Sequence, residues 1–547
     1  MKIVFPSAAL ITLATTAWVS ADALIIPKII LIFVLASYLL PILLSNYKLI
    51  LKKGKLRILA AISIVFVLNM LVVMYLSEAP FEQEFFGRTG RGLGFITYFS
   101  LFIIMIYTAL KIKQLDLLNL FRWIYLSCLF SSIYSILQYY GYDIFDWRTQ
   151  TNGIIGTIGN PNFQSSFVSI AFLPSVIYLW NQKNRVIKVL SISIFFIFVL
   201  YICESTQGYI ALFASLLIFA LLYLLRKKSN LYFFILFIIG SIVGGLAILG
   251  MLNKGPLSYY LYKVSVRSRG EMWDTAISMI KDNLLFGVGL DSVGDYSLMY
   301  QSRETANGIA EYIDNVHNFY LQFAATGGLP LAIAYFSLVC FVGYIFVSKL
   351  IKLNASDHTI SALFSAWIAF QLQSLISPAV IPTLIWNFII CGTIIGLENN
   401  DDFASTSIKI QQKSSKQGNK LSDSMSLKSV ALSTLAFVTV IPLFNADKLA
   451  REANIKQDAV LAVQAASKYP ESVIRYNRIG ADLYTLGLYD LSLEVGRNAV
   501  KFNPNSYLTW ILILVNPNAP IQERQIAKDK LIRIAPHNIQ IQNYPLE

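Results

Sequence analysis

One polar stretch of this chain gathers residue types that could do chemistry together. Residues 253–318 carry Arg267 and Arg269, then Trp273, then Gly287 and Gly289, and close on Asp314, Asn315, Val316, His317 and Asn318. The chain has three histidines; His358 and His537 lie elsewhere, and only His317 falls in this stretch. An imidazole titrates near neutral pH, so His317 could accept a proton from a hydroxyl or orient it. Guanidinium groups keep their charge and hold phosphate oxygens through a planar fork. This pattern points to chemistry on an anionic substrate. Plainer readings compete: a histidine that only bonds its neighbours, and arginines that meet anionic lipid headgroups.

Three other places add candidates. Phe86, Gly87, Arg88, Thr89, Gly90, Arg91 and Gly92 place two more arginines among glycines, which let a ligand approach the backbone. Gly156 to Phe163 contains Asn160, Pro161 and Asn162; Asn before Pro is a helix start, and a contact from Asn160 or Asn162 to a sugar hydroxyl is the secondary reading. Glu204, Ser205, Thr206 and Gln207 end one apolar run and begin the next. The sequence has no phosphate-binding Gly-x-x-x-x-Gly-Lys loop, no His-Glu-x-x-His and no nucleophile-elbow serine.

The elements that must position these residues are membrane helices. Of 547 residues, 56% are hydrophobic and 14% charged, and the mean hydropathy is +0.59. A soluble chain of this size carries about a quarter charged residues. The apolar runs are long enough to cross ~30 Å of hydrocarbon as helices, unlike the ~10-residue alternating strands of a membrane barrel. We place spans near 4–24, 26–44, 58–77, 93–110, 121–140, 162–181, 187–204, 208–225, 231–252, 329–348, 360–376, 381–397 and 429–445. The fold class is therefore all-α, a polytopic bundle of 12–13 spans. The first run is read as a retained helix rather than a cleaved signal. The net charge of +13 clusters in alternate loops, which is a topology signal rather than a nucleic-acid footprint. It puts the amino terminus in the cytoplasm and residues 78–92, 141–161 and 253–328 outside. Cys128, Cys203, Cys340 and Cys391 all lie in spans, with no disulfide or metal spacing.

Residues 1–398 thus form a membrane core whose large extracytoplasmic loop covers 253–328. A Ser-, Lys- and Gln-rich cytoplasmic linker follows at 399–427, then one more span at 428–445. Residues 446–547 are amphipathic and fall outside the membrane. Pro470, Pro504 and Pro536 close three similar phrases about 34 and 32 residues apart, the tetratricopeptide helix-pair period, with a generic helical hairpin as the alternative.

Gly156 to Asn162, the spacing from Arg269 to Trp273 with Lys281 to Gly289 after it, and Asp314 to Gln322 resemble motifs of the O-antigen ligase/polymerase family of bacterial membrane glycosyltransferases. That family includes protein O-oligosaccharyltransferases, and some members carry an outer helical tail with a phrase similar to Ile534 to Asn538. The resemblance implies a polyprenyl-pyrophosphate-linked glycan donor and a glycan, lipid or protein acceptor at the bacterial plasma membrane, amid its lipids. It implies no cofactor and no metal, with arginines stabilising the leaving pyrophosphate. Arg269 would hold the pyrophosphate, Arg267, Trp273, Asn160 and Asn162 would join it in binding the substrate, and His317 would activate the acceptor hydroxyl. The family commonly has Ser-Arg where this chain has Ser205, Thr206 and Gln207. Gln207 can bond phosphate without charge, and Arg88 or Arg91 would compensate. The tail would recruit a protein partner. A flippase for lipid-linked sugar and a membrane-anchored scaffold are the competing classes.

Overall fold

The computed structural model describes residues 1–145, 147, 154–304, 312–352, 357–410 and 427–546, with backbone only for 400–410. Its described residues form helices and no strand. In the membrane part these are α1 (Val4–Leu13), α2 (Ile26–Ser45), α3 (Gly54–Leu76), α4 (Phe95–Lys111), α5 (Leu117–Tyr139), α6 (Pro161–Trp180), α7 (Arg185–Ile202), α8 (Thr206–Arg226) and α9 (Asn230–Met251). Two helices, α10 (Val264–Asp282) and α11 (Val293–Tyr300), belong to the large loop. Then come α12 (Phe319–Lys352), α13 (Thr359–Ser374), α14 (Ile381–Ile410) and α15 (Leu427–Lys456). The tail adds α16 (Ala459–Ala466), α17 (Val473–Thr485), α18 (Tyr489–Phe502), α19 (Tyr507–Leu514) and α20 (Ile521–Ile534).

Each of the thirteen expected spans holds a helix, but only ten described helices are long and apolar enough to cross a bilayer. The chain is a polytopic helical membrane protein. The first expected span is the clearest departure, because its helix stops at Leu13. The freed Ala14 carbonyl accepts from Lys28 Nζ at 2.7 Å, and Lys28 also donates to the carbonyls of Leu24 at 2.9 Å and Thr157 at 3.0 Å. Thr16 and Ser20 close a turn in place of the missing helix, their hydroxyls 2.6 Å apart. An apolar run does not reveal where its backbone bonds go. At the other end, α14 continues to Ile410, into the stretch expected to be linker. Extending an existing helix adds one bond per residue fixed, without a second nucleation cost. The rest of that stretch, 411–426, lies outside the described residues.

The tail is built of consecutive packed helices with two small apolar cores. One joins Ala465, Tyr476, Ile479, Leu483, Val495 and Ala499; the other joins Trp510, Ile513, Leu514, Ala527, Leu531 and Ile534. The tail sits on one end of the bundle. There Asn505 Nδ2 donates to Glu78 at 3.1 Å, Asn503 Nδ2 to Asp295 at 3.1 Å, and the Asp22 N–H to Asp447 at 2.8 Å. At the opposite end, Glu398 is 1% exposed and collects Lys55, Lys349 and Lys352. The loops 20–25, 78–92, 154–160 and the large loop therefore share the tail's face.

A glycine clamp fixes the large loop to this face. Inside α12 the helix breaks at Gly328, with φ 74° and ψ 178°. The Val288 N–H donates to the Ala325 carbonyl at 2.9 Å, Gly289 to Thr326 at 3.0 Å, and Leu329 to Leu284 at 2.7 Å. A Cβ on Gly287 would lie 2.4 Å from the Thr326 backbone, and one on Gly328 would lie 2.4 Å from Leu285. The two strands of chain touch backbone to backbone, and both glycines have positive φ, so no larger residue fits.

Candidate active site

His317 is flanked by residues whose side chains or N–H groups are occupied by the fold. The Asp314 carboxylate takes both Nε (3.0 Å) and Nη2 (2.8 Å) of Arg91. Asn315 Oδ1 accepts the His317 N–H at 2.9 Å, and Gln322 Oε1 accepts the Val316 N–H at 3.0 Å. Asn318 Oδ1 takes the N–H groups of Tyr320 and Leu321, each at 3.1 Å, and so caps α12. His317 itself has φ 56°, a left-handed backbone that an L-residue holds at a cost when its surroundings enforce it. These bonds are the enforcement. The Nδ1 atom is buried and bonds no described atom.

The charge around His317 is positive. Burial pushes its imidazole down from 6.5 to about 4; Arg91 and Arg269 push the same way, and Asp314 opposes them. The ring is therefore neutral at physiological pH and ready to accept a proton. Burial alone would raise the Asp314 carboxyl, but the Arg91 guanidinium holds it below its usual value.

Arg269 reaches this place from α10. It lies one turn before Trp273, so both side chains share a face. That face meets a small core of Ala276, Met279, Val293, Ile313, Val316 and Ala325, against which Trp273 packs. Arg269 Nε and Trp273 Nε1 are buried without a bonding partner among the described residues. Burial lowers the Arg269 guanidinium from its ordinary value, though not enough to matter at neutral pH. Arg267 is two residues earlier and so faces elsewhere. Its side chain is 71% exposed and pairs with Glu271 at 3.3 Å.

Arg91 and Arg88 both hold the loop to its neighbours, but only Arg91 spends its guanidinium fork on a carboxylate; Arg88 pairs through Nη1, and its Nε and Nη2 are buried with no partner among the described residues. The Arg88 side chain is 2% exposed; Nη1 pairs with Asp295 Oδ1 at 3.2 Å, and the guanidinium lies 5.3 Å from the Tyr312 ring centre. Its N–H donates to Asp291 Oδ2 at 2.7 Å. Asp295 also takes Gln83 Nε2 at 2.8 Å and the tail's Asn503, which joins three segments at one carboxylate. Sequence reading missed Glu84, Asp291 and Asp295, because an acidic residue in a polar loop reads as solvated.

Asn160 caps α6: its Oδ1 accepts the Asn162 N–H at 2.8 Å. Asn162 Oδ1 accepts from Ser205 at 2.8 Å, tying the start of α6 to the start of α8. Gln207, in the first turn of α8, is 5% exposed, and neither atom of its amide finds a partner among the described residues. Lys28, invisible to the motif search, anchors the 156–160 loop through Thr157. The available signal was a lone charge in an apolar span.

No curated protein matches the chain. Residues 191–336 match the O-antigen ligase family model, a segment that includes Gln207, Arg267, Arg269, Trp273 and His317. This segment is therefore similar to the O-antigen ligase family, a likeness that supports lipid-linked glycan transfer or polymerisation in broad terms.

Proposed function

We propose that the chain transfers a glycan from a polyprenyl pyrophosphate to an acceptor hydroxyl on the outer side of the bacterial plasma membrane. The observation that carries this reading is a set of buried polar atoms with no described partner: His317 Nδ1, Arg269 Nε and Trp273 Nε1 in the loop, and the Gln207 amide at the start of α8. Buried polar groups are nearly always paired; these orphans fall on residues of the motifs singled out in the sequence, where a ligand's polar atoms would pair them. Arg269 supplies charge and directed donors for phosphate oxygens, and Gln207 adds neutral donor capacity. The neutral imidazole of His317 supplies a base.

In the reaction, the acceptor oxygen bonds to the anomeric carbon while its proton passes to His317. The bond from that carbon to the pyrophosphate oxygen breaks, and its electron pair leaves with polyprenyl pyrophosphate. Arg269 stabilises the charge that develops there. Arg91 orients the histidine loop through Asp314 and keeps His317 unprotonated; Arg88 braces the same loop through Asp295. Asn160 and Asn162 hold the α6 start against α8. The alternation of basic loops supports a cytoplasmic amino terminus and an extracytoplasmic tail. The tail's paired helices and proline spacing support a tetratricopeptide-like unit.

The test is the surface-glycan profile of a deletion strain, resolved by chain length and carrier and complemented with wild type or His317→Ala. Wild type restores the lost product, and His317→Ala, inserted at normal levels, does not. Long chains stranded on the lipid carrier identify a ligase or protein glycosyltransferase. Single repeats on the final acceptor identify a polymerase. An unchanged profile on deletion removes the proposal.

A further inference from the structure

A cavity of about 540 Å³ lies between the tail and the membrane core, within the usual range for ligand pockets. The end of α15, with α16 and α17, forms one side of it. Asp22, Thr89 and Gly90 form the other. The room comes from small residues, since Ala450, Ala453, Ala459 and Ala462 all face it.

The loop at 88–91 has two faces. Thr89 and Gly90 border the cavity: Thr89 Oγ1 is tied to Ser472 Oγ of the tail at 2.7 Å, and the Gly90 N–H to Asp22 Oδ2 of the membrane core at 2.8 Å. The next residue, Arg91, grips Asp314, three positions before His317. Gly90 at the cavity and Arg91 at the histidine loop are consecutive residues, so one short loop links the two places.

Charge sorts the two sides. Around His317 the charges that govern the ring are the guanidinium groups of Arg91 and Arg269, opposed by one carboxylate. The cavity instead carries the carboxylates of Asp22, Asp447, Asp458 and Asp482 against Arg475 and Arg478. Arg475 is already committed to the carbonyls of Ala466, Lys468 and Pro470, while Asp22, Asp447 and Asp458 each accept backbone N–H groups and keep further acceptor capacity. An acidic lining disfavours pyrophosphate. Carboxylates and the amides of Asn454 and Gln457 accept hydroxyl protons readily.

We propose that this cavity is the acceptor subsite, holding a neutral, hydroxyl-rich glycan whose reacting end passes over Gly90 and Arg91 to His317. The inference rests on the glycosyl-transfer reading above and adds no chemical step to it. The donor's phosphate belongs on the arginine side and the acceptor chain on the carboxylate side.

The test uses the full-length chain in nanodiscs, with lipid-linked donor and mild-acid-released envelope glycan from the source cells. Ala462→Trp fills the cavity, and Asp482→Asn alters only an exposed rim group. Each is expected to raise the acceptor KM roughly tenfold, the loss of one or two hydrogen bonds, with the donor KM and melting midpoint unchanged. A photocrosslinking residue at position 462 should capture periodate-sensitive, protease-resistant glycan, and one at exposed Ile526 should not. Unchanged acceptor KM in both variants, or a protease-sensitive crosslink at 462, overturns the subsite; the latter makes the cavity a protein-docking site. If transfer depends on His317 while both cavity variants behave as wild type, only this inference fails. If wild type transfers nothing, the functional reading fails with it.

Discussion

The protonation state of His317 gives the sharpest prediction. An ordinary histidine titrates at 6.5, and burial with two nearby arginines brings this one to about 4. At pH 5.5 an ordinary imidazole is only about 9% neutral, whereas one at 4 is about 97% neutral, a ratio near tenfold. If the neutral ring is the base, kcat/KM for the acceptor at pH 5.5 stays close to its value at pH 7. The acid limb of kcat/KM reports the free enzyme, so its midpoint lies near 4. Arg269→Gln removes one of the groups holding the pKa down and moves that limb to higher pH, whatever it does to the absolute rate. The assay is initial transfer from labelled lipid-linked donor in nanodiscs between pH 4 and 8, with stability checked at each pH. A limb at 6.5 that Arg269→Gln leaves in place would refute the proposed coupling between burial, arginine and base.

Four other substitutions probe the framework. Arg269→Lys keeps the charge and loses the planar fork, so donor KM rises and thermal stability holds; unchanged donor affinity would argue against a phosphate clamp. Gln207→Leu keeps the volume and removes an unpaired buried amide, so the melting midpoint rises while donor binding weakens; stabilisation alone would leave Gln207 without a ligand role. Gly287→Ala forces a Cβ onto the Thr326 backbone at positive φ and costs more than ~1 kcal/mol, read as a lower midpoint and a lower kcat. Lys28→Met strips the donor from three carbonyls at about 1–3 kcal/mol each, so the solubilised protein melts early or fails to insert.

What the sequence made legible follows from which physics is local. Spans are long apolar runs, so the all-helical membrane fold could be read directly. His317 and Arg269 stood out as candidates through residue type and spacing, and the structure sets both around one small core, while the chemistry assigned to them is the proposal made above. Arg88 and Arg91 were legible as arginines but not as partners of Asp295 and Asp314, because those contacts join residues 207 and 223 positions apart. The break after Leu13 was hidden for the same reason: it depends on Lys28, and hydropathy does not record which carbonyl an ammonium will find. The glycines of 287–289 stood out in sequence, yet their clamp against Gly328 needs both segments in space.

The unpaired atoms also bear on selectivity. A site that only needed to bind strongly could pair His317, Arg269 and Gln207 within the fold, as Asp314 pairs Arg91. Leaving them buried and unpaired costs stability, on the order of 1–3 kcal/mol for each group. That cost returns as discrimination when a ligand supplies the missing partners, because a donor without pyrophosphate oxygens leaves the same atoms stranded. The left-handed backbone at His317 works in the same direction, since Asn315 and Gln322 hold the main chain at 316–317 in place before substrate arrives. With Gln207 in place of a cation, the candidate-site arginines with unpaired buried donors are Arg269 and Arg88. Donor affinity should then depend more steeply on Arg269 than on Gln207, which brings no charge. An Arg269→Gln, Gln207→Leu double-mutant cycle measures the difference: a coupling energy indistinguishable from zero would mean that the two groups meet different parts of the ligand.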